Sequence, residues 1–532
     1  MRAIAEEAFA MVREYKGSHS GEHGDGIVRS EFHAAMFGAR IVSAFESVKE
    51  RFDPDSLFNP GRIVHPPKMD DRTLFRYGPD YQVPALDTEL DWSAYPGSGG
   101  GFQGAVEMCN NNGACRKLAG GAMCPSYRAT RNEKDLVRGR ANSLRLAISG
   151  QLGADALTSE AMHETMKLCV SCKACKRECP TGVDMAKMKI EVQAARAKKH
   201  GLSLHERLVA YLPRYAPYAG KMPWLFNLRD QLPGLAKASE WIAGFDARRS
   251  LPKWRKPFVD PVPDVKYAGG REVVLWIDTF NRYFEPETVT AACDVLRAAG
   301  ADVHIIDAAD GKRPLCCGRT FLAAGLVEEA RSEARRTADA LLPLARRDIP
   351  ILGLEPSCLF TFRDEFASLL PADEAALLAK QAMLIEEFLA KSADDKTLQL
   401  PLKPLNRPVA LHGHCHQKAF ASLGAVEKAL RLIPDLDLTI IESSCCGMAG
   451  AFGYHRDTYD VSLEMAELSL LPAVRELSET HIFAADGTSC RHQIADGTSQ
   501  KALHVVHILK MALDSETADR AGLELETANA DI

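Results

Sequence analysis

Long apolar stretches, an excess of one charge and a leader are what this sequence lacks. No apolar run approaches the roughly 18 residues that cross a bilayer as a helix, so a membrane-spanning helix is not expected and contact with a membrane surface has no sequence support. The 65 Lys and Arg against 71 Asp and Glu leave a net charge of −6 over 532 residues, which gives no general attraction to nucleic acid. No signal-peptide pattern opens the chain. The 46% hydrophobic and 26% charged content is that of an ordinary globular protein, and the length suits about three to five domains. Cysteine, by contrast, is plentiful. Fifteen thiols fall in tight groups with metal-ligand spacing, which points to a reduced, cytoplasmic, metal-carrying protein, at most peripheral to the inner membrane face, rather than a disulfide scaffold.

The densest group is Cys169, Cys172, Cys175 and Cys179-Pro180. The pattern C-x2-C-x2-C-x3-C-P wraps a [4Fe–4S] cluster with three corners from the close thiolates, and its Cys-Pro cysteine reaches a second cluster. Cys109, Cys115 and Cys124-Pro125 form a second half-motif. Exchange of the Cys-Pro cysteines gives one set of Cys169, Cys172, Cys175 and Cys124, and another of Cys109, Cys115 and Cys179. The second set has Asn112 where a cysteine is expected. Three outcomes are open there: Asn112 or solvent as fourth ligand, a three-iron cluster, or an empty site. Zinc is the competing reading for 169–180, disfavoured because one zinc ion takes four ligands in two separated pairs. Arg128, Arg131, Arg138, Arg140 and Arg145 read as a solvated basic helix face, with a docking surface for an acidic partner as the lesser reading.

Near the start, Ser20-Gly-Glu22-His23-Gly-Asp25-Gly precedes a helix carrying Ile41, Phe45, Val48 and Phe52, then Phe52-Asp53-Pro54 and Leu57-Phe-Asn59-Pro-Gly61. A glycine-rich loop with incidental polar residues is the bland alternative. The combination resembles the C-terminal end of FAD-linked oxidases acting on D-2-hydroxy acids (D-lactate, D-2-hydroxyglutarate, glycolate). The resemblance implies Glu22 as a divalent-metal ligand, His23 as the base taking the substrate hydroxyl proton and Asn59 as a cofactor-binding residue. It covers about 60 residues. The family's FAD-binding domain and upstream His-rich metal motif are not in the sequence. The expectation is the C-terminal half of a fused enzyme, or a subunit whose flavoprotein partner supplies the rest, inactive alone on a hydroxy acid.

Residues 201–268 are dense in proline, which forbids long helices, and hold Trp224, Trp241 and Trp254; packing between domains is expected. Beyond them the sequence repeats. Val273–Thr279 matches Val409–Cys415 136 residues later, Cys316-Cys317-Gly318 matches Cys445-Cys446-Gly447 129 later, and Cys358 matches Cys490 132 later. Each unit reads strand, helix, strand, Cys-Cys-Gly, helix, strand, cysteine, hence a parallel sheet with its cysteines gathered beyond the strand ends. The repeats resemble the CCG domains of heterodisulfide reductase and of glycolate and lactate oxidase iron–sulfur subunits. That implies metal ligation by Cys415, Cys445, Cys446 and Cys490, as cluster or zinc, with His412, His414 and His416 nearby. In the first unit it implies a weaker site of Cys316, Cys317 and Cys358, where Thr279 replaces Cys415. Cys293 reads as a plain core thiol, and adjacent cysteines can be plain buried thiols too.

The expected fold is multidomain α/β plus α: an FAD-linked oxidase segment (1–66), a linker (67–100), a helical two-cluster domain (101–200), a connector (201–268), two CCG domains (269–395, 405–513) and an acidic tail (514–532). The order resembles fused FAD and iron–sulfur D-2-hydroxy acid dehydrogenases. It implies electrons passing from flavin through [4Fe–4S] clusters to a quinone, cytochrome or other carrier. Disulfide chemistry at the CCG units and a non-catalytic electron-transfer subunit are the alternatives.

Overall fold

The computed structural model describes residues 1–83, 86–95, 100–259, 270–308, 310–397 and 400–514. Residues 96–99, the prolines at 261 and 263 and the acidic tail beyond 514 lie outside the described residues. The chain forms two compact bodies, Met1–Gln82 and Val83–Ile532.

The N-terminal body is built from helices Arg2–Glu14, Gly26–Ser30, His33–Phe37 and Ala39–Phe52. Asp53 ends the last of these. Its carboxylate accepts from the N–H groups of Leu57 (2.8 Å) and Phe58 (2.9 Å), which shapes the turn before Asn59. The body's fully buried described residues are His19, Asp25, Ser30, His33, Asp53 and Val64, five of the six polar, while Ile4, Tyr15, Phe52 and Phe58 stay exposed. The two long helices bury no residue completely. Helical periodicity gives them an apolar stripe, which this body covers only in part, Phe9 packing on His19 and Phe32 and Phe45 on Phe37.

In the main body, residues 86–95 run irregularly yet dock firmly. The buried Glu191 carboxylate accepts from the Leu90 N–H and the Trp92 indole, both at 2.8 Å. Helices Gly101–Glu107, Pro125–Thr130, Val137–Ile148, Glu160–Lys167, Ala174–Glu178 and Met185–His200 follow. Local signals set their starts: Pro125 in the first turn, and Ser159 and Asp184 as N-caps accepting from Met162 and Lys187. The connector holds only short helices, in keeping with its prolines. Trp254 packs among Tyr215, Phe226 and Phe284. Trp224 and Trp241 do not act as domain packing, contrary to expectation: they are 64% and 83% exposed, because proline-broken helices this short present no continuous face.

Two α/β lobes complete the body. The first has strands β1 (Arg271–Leu275), β2 (Ala301–Ile305), β3 (Ile351–Gly353) and β4 (Ala382–Leu384), in the order β2-β1-β3-β4. The second has β5 (Val409–Leu411), β6 (Leu438–Ile440), β7 (Ile482–Ala484) and β8 (Ala502–Leu503), in the order β6-β5-β7-β8. All pairings are parallel. β3, β5 and β7 are wholly apolar and buried, and β1 is so from Val273 to Leu275. One apolar core runs between the lobes. It joins Val289, Leu296 and Leu389 of the first to Val426, Val505 and Ile508 of the second. Where the first lobe has one long helix after Cys-Cys-Gly (Val327–Ala345), the second breaks into Tyr459–Glu467 and Leu470–Glu476.

Candidate metal centres

Cys124, Cys169, Cys172 and Cys175 line one cavity, with Val137, Arg140 and Met185 among its other walls. The two cysteine loops share a backbone trace. Left-handed residues fall two and four positions after the first cysteine in each: Asn111 (φ 63°) and Gly113 (φ 79°), Ser171 (φ 50°) and Lys173 (φ 61°). Cys124 is itself left-handed (φ 53°), with Pro125 opening the next helix and the Val137 N–H 3.4 Å from its sulfur. Glu178, directly before Cys179, accepts from the Ala122 N–H (2.7 Å) and the Met123 N–H (3.1 Å), so one half-motif holds the other in place. Burial pushes the Cys124 thiol up to about 12 and those of Cys172 and Cys175 well above the ordinary value. A thiol so disfavoured as an anion becomes a ligand when a cation replaces its proton. Four inward sulfurs on rigid, left-handed loops fit a [4Fe–4S] cluster.

Two of the five arginines depart from a solvated face, while Arg131 is exposed and Arg138 and Arg145 are partly so. Arg128 is 5% exposed and donates to the Met123 carbonyl (3.2 Å) and the Gly120 carbonyl (2.6 Å). Arg140 is 2% exposed and donates to the Thr165 carbonyl (3.0 Å) and Ser126 Oγ (3.2 Å). Loop carbonyls before Cys124 draw the Arg128 guanidinium inward, and the last turn of helix Glu160–Lys167 with the Ser126 hydroxyl draws in that of Arg140. Lys189 Nζ, donating to the Cys169 carbonyl (2.5 Å), adds a second cation beside the cavity.

In the other set, Cys109 and Cys115 are buried and within electrostatic reach of each other. Cys179 is buried, which raises its thiol, but the Thr181 hydroxyl (3.3 Å) and the N–H groups of Val183, Thr181 and Gly182 outweigh burial and hold it below the ordinary value. Asn112 is exposed. Its carboxamide oxygen accepts from the Ala114 N–H (2.8 Å) and its amide donates to Asn110 Oδ1 (2.6 Å), so it closes the turn with the groups a ligand would need.

Each lobe gathers its cysteines at the carboxyl end of its sheet. In the first, Cys316, Cys317 and Cys358 are buried beside Asp278, whose carboxyl burial pushes up to about 7. Thr279 opens helix Thr279–Tyr283 where Cys415 opens helix Cys415–Ala419 in the second. Thiol contacts run from Cys415 to Cys445, Cys445 to Cys446, and Cys446 to Cys490 and His412. The Cys415 thiol is drawn down to about 6, chiefly by its hydrogen bond with Cys445. Gly318 and Gly447 are left-handed (φ 79° and 82°), and each puts its N–H 3.4 Å from the first sulfur of its pair. Cys293 lies in the apolar core between the lobes, away from both groups.

The cluster loop docks on both lobes. Buried Lys173 pairs with Asp364 and Glu365, and Lys176 reaches Asp364 at 2.7 Å. His416 Nε2 lies 3.1 Å from the Ser171 carbonyl, and the Cys172 and Cys415 thiols sense each other electrostatically. Nothing in local spacing signals this clamp, because its partners lie about 190 and 245 residues apart in sequence.

In the N-terminal body, Glu22 and His23 form an exposed pair 3.5 Å apart. Asn59 is exposed and left-handed (φ 46°). Among the described residues, no other side chains complete a three-ligand group around Glu22. Sequence reading missed the buried Asp25–His33 pair (2.9 Å) and His19, 6% exposed with both ring nitrogens unpartnered. Their signal was available in the histidines flanking the glycine-rich loop.

Residues 1–63 match the family described as FAD linked oxidases, C-terminal domain, and residues 105–183 match the 4Fe-4S dicluster domain. The chain is a distant relative of the D-2-hydroxy-acid dehydrogenases. It is 25% identical to D-2-hydroxyglutarate dehydrogenase of Escherichia coli K12 over 96% of its own length and 53% of that protein's. It is 26% identical to the D-2-hydroxyglutarate dehydrogenase of Pseudomonas putida (96% of this chain, 52% of that one), and 25% identical to the glycolate oxidase iron-sulfur subunit of Escherichia coli K12 (73% and 92%). The chain spans about half the length of the D-2-hydroxyglutarate dehydrogenases it matches. These matches put it among oxidoreductase-like proteins with iron–sulfur and FAD-oxidase domains. No helix among the described residues is long and apolar enough to cross a membrane.

Proposed function

We propose that this chain is the iron–sulfur, electron-carrying portion of an FAD-dependent D-2-hydroxy acid dehydrogenase, with D-lactate or D-2-hydroxyglutarate as substrate and a quinone, cytochrome or other carrier as acceptor. One observation carries the reading: thiols from two segments, Cys124 and Cys169–Cys175, line a single buried cavity. A bound [4Fe–4S] cluster supplies one-electron transfer, the traffic a reduced flavin needs. Cys124, Cys169, Cys172 and Cys175 hold it, while Arg140 and Lys189 bring positive charge to its wall. Cys109, Cys115 and Cys179 are the ligands of a second cluster. Cys415, Cys445, Cys446 and Cys490 are those of a metal or cluster in a CCG-type second lobe, and Cys316, Cys317 and Cys358 form the weaker counterpart in the first. His23 takes the substrate hydroxyl proton and Glu22 holds a divalent metal once a flavin-binding domain, from sequence outside these 532 residues, covers them. The N-terminal body's polar core and partly bare apolar helices support its packing on such a domain.

Anaerobically prepared chain is expected to be brown and to contain iron and acid-labile sulfide. Cys175→Ser removes the share of the visible absorbance and iron that one cluster carries, and Cys293→Ser leaves both unchanged. Addition of FAD to the isolated chain gives no turnover of either hydroxy acid. Colourless, iron-free protein overturns the reading, and sustained turnover overturns the requirement for further sequence.

A further inference from the structure

Three histidines surround Cys415, and their hydrogen bonds separate them. His414 Nδ1 accepts from the His416 N–H (3.1 Å), capping the helix that Cys415 opens. Its lone pair is thereby used, so Nε2 carries the hydrogen and can donate but not ligate. His416 turns Nε2 to the Ser171 carbonyl (3.1 Å) and belongs to the clamp on the cluster loop. His416 Nδ1 is also buried without a hydrogen-bond partner, but His412 is the histidine whose ring nitrogen is grouped with thiol sulfurs. Its Nδ1 lies 2.8 Å from Ser443 Oγ, whose own hydroxyl donates to the Ile441 carbonyl (3.4 Å). Ser443 Oγ also accepts from Lys418 Nζ (3.4 Å); with its own hydrogen on the Ile441 carbonyl it accepts from His412 Nδ1–H, and in that tautomer Nε2 presents a bare lone pair. That nitrogen is in a side chain 1% exposed and has no hydrogen-bond partner. It faces sulfur: His412, Cys446 and Cys490 have ligand atoms all within 4.8 Å of one another.

We infer that His412 Nε2 is a nitrogen ligand of the centre held by Cys415, Cys445, Cys446 and Cys490, making it a mixed imidazole–thiolate site. The inference rests on the proposed metal centre in the second lobe. The group set against that lone pair is the Cys446 thiol, a weak donor, and a metal ion held by the same sulfur would take the place of its proton. The distal hydrogen bond to Ser443 is the second interaction that metal-bound imidazoles make, fixing tautomer and ring plane. The repeat sharpens the point. At the place corresponding to His412 the first lobe has Trp276 and at that of Cys415 it has Thr279, so it lacks both the nitrogen and the fourth thiolate. Zinc would take His412 with three of the thiolates, and an iron–sulfur cluster could take all five groups; the measurement distinguishes these.

The test uses full-length, anaerobically prepared chain. Subtracting the metal signal of Cys446→Ser from that of wild type isolates the second-lobe centre from the cluster domain. For iron, the difference signal is examined by pulsed paramagnetic resonance with 15N-histidine labelling; for zinc, by X-ray absorption at the zinc edge. A nitrogen in the first shell that disappears in His412→Ala and persists in His414→Gln supports the inference with either metal. Ser443→Ala, which frees the ring to turn, weakens that nitrogen signal without removing sulfur ligands. A metal with sulfur ligands alone overturns the role of His412 and leaves the second-lobe centre standing. Identical metal content in wild type and Cys446→Ser overturns the centre itself, and His412 with it.

Discussion

The two lobes have the same strand order and the same Cys-Cys-Gly turn, yet their sites differ at the first strand's exit. The second lobe leaves β5 through His412-Gly413-His414-Cys415, and the first leaves β1 through Trp276-Ile277-Asp278-Thr279. Asp278 and His414 do the same structural work, each accepting from N–H groups of the helix that follows. What was exchanged is therefore the pair beside the cap. In one lobe a nitrogen and a sulfur face the gathered thiols. In the other the corresponding positions hold an indole and a hydroxyl, and Trp276, 1% exposed and edge-on to Phe362, extends the apolar core. A single scaffold thus supports a ligand-rich pocket and a packed one, with the parallel sheet and the glycine turn as the shared part.

The shared turn is where the comparison breaks most easily. A Cβ added at Gly447 would stand 2.1 Å from the Ser462 carbonyl oxygen, and one at Gly318 2.9 Å from that of Ala330. Both positions are left-handed, so alanine is strained in either lobe, but only the second forces backbone apart by more than an ångström. Gly447→Ala is expected to cost about 4 kcal/mol or more and to empty the second-lobe centre. Gly318→Ala is expected to cost about half as much. Denaturant unfolding and metal analysis check both, and equal costs would mean that the two turns are not under different constraint.

The lobes also share the cluster loop unequally, and charge falls to the first. Burial raises the Asp364 carboxyl, but Lys173 and Lys176 outweigh it and hold the group well below the carboxylate range. Its folded value thus lies under its unfolded one. The ion pairs' contribution is complete above the unfolded value near 4 and is lost as pH falls through the folded value. Asp364→Asn leaves Lys173 with Glu365 and is expected to cost about 3 kcal/mol. Between pH 5 and 8 the gap from wild type stays constant, and it closes only in more acidic solution. A gap that shrinks between pH 7 and 5 would assign the clamp to another group.

Much of this architecture follows from local pattern. The neighbourhood of Cys124 with Cys169, Cys172 and Cys175 came from two Cys-Pro half-motifs, and the sheets from apolar runs spaced by helices. β4 and β8, three and two residues long, escaped because periodicity needs more residues than they contain. The arginines misled for a different reason. Charge alone reads as solvent-facing, whereas Arg128 is drawn inward by loop carbonyls and Arg140 by a helix-end carbonyl and the Ser126 hydroxyl, acceptors that only the fold brings near. The Lys173 clamp was hidden as well, since its partners belong to another lobe.

The gentlest intervention asks which of the two exchanged residues matters. Thr279 is 8% exposed and opens its helix as Cys415 does, so Thr279→Cys replaces a buried hydroxyl by a thiol of similar size. Stability should stay within about 1 kcal/mol of wild type. With four thiols and no imidazole, the first lobe is expected to gain metal, read as the increase in metal content over wild type. It should bind that metal more weakly than the second lobe, losing it first to a chelator, because Trp276 still stands where His412 would complete the shell. Equal retention by the two lobes would show that thiolate number alone separates them. No gain at all would show that the indole, by filling the space a metal needs, is what closed the first site.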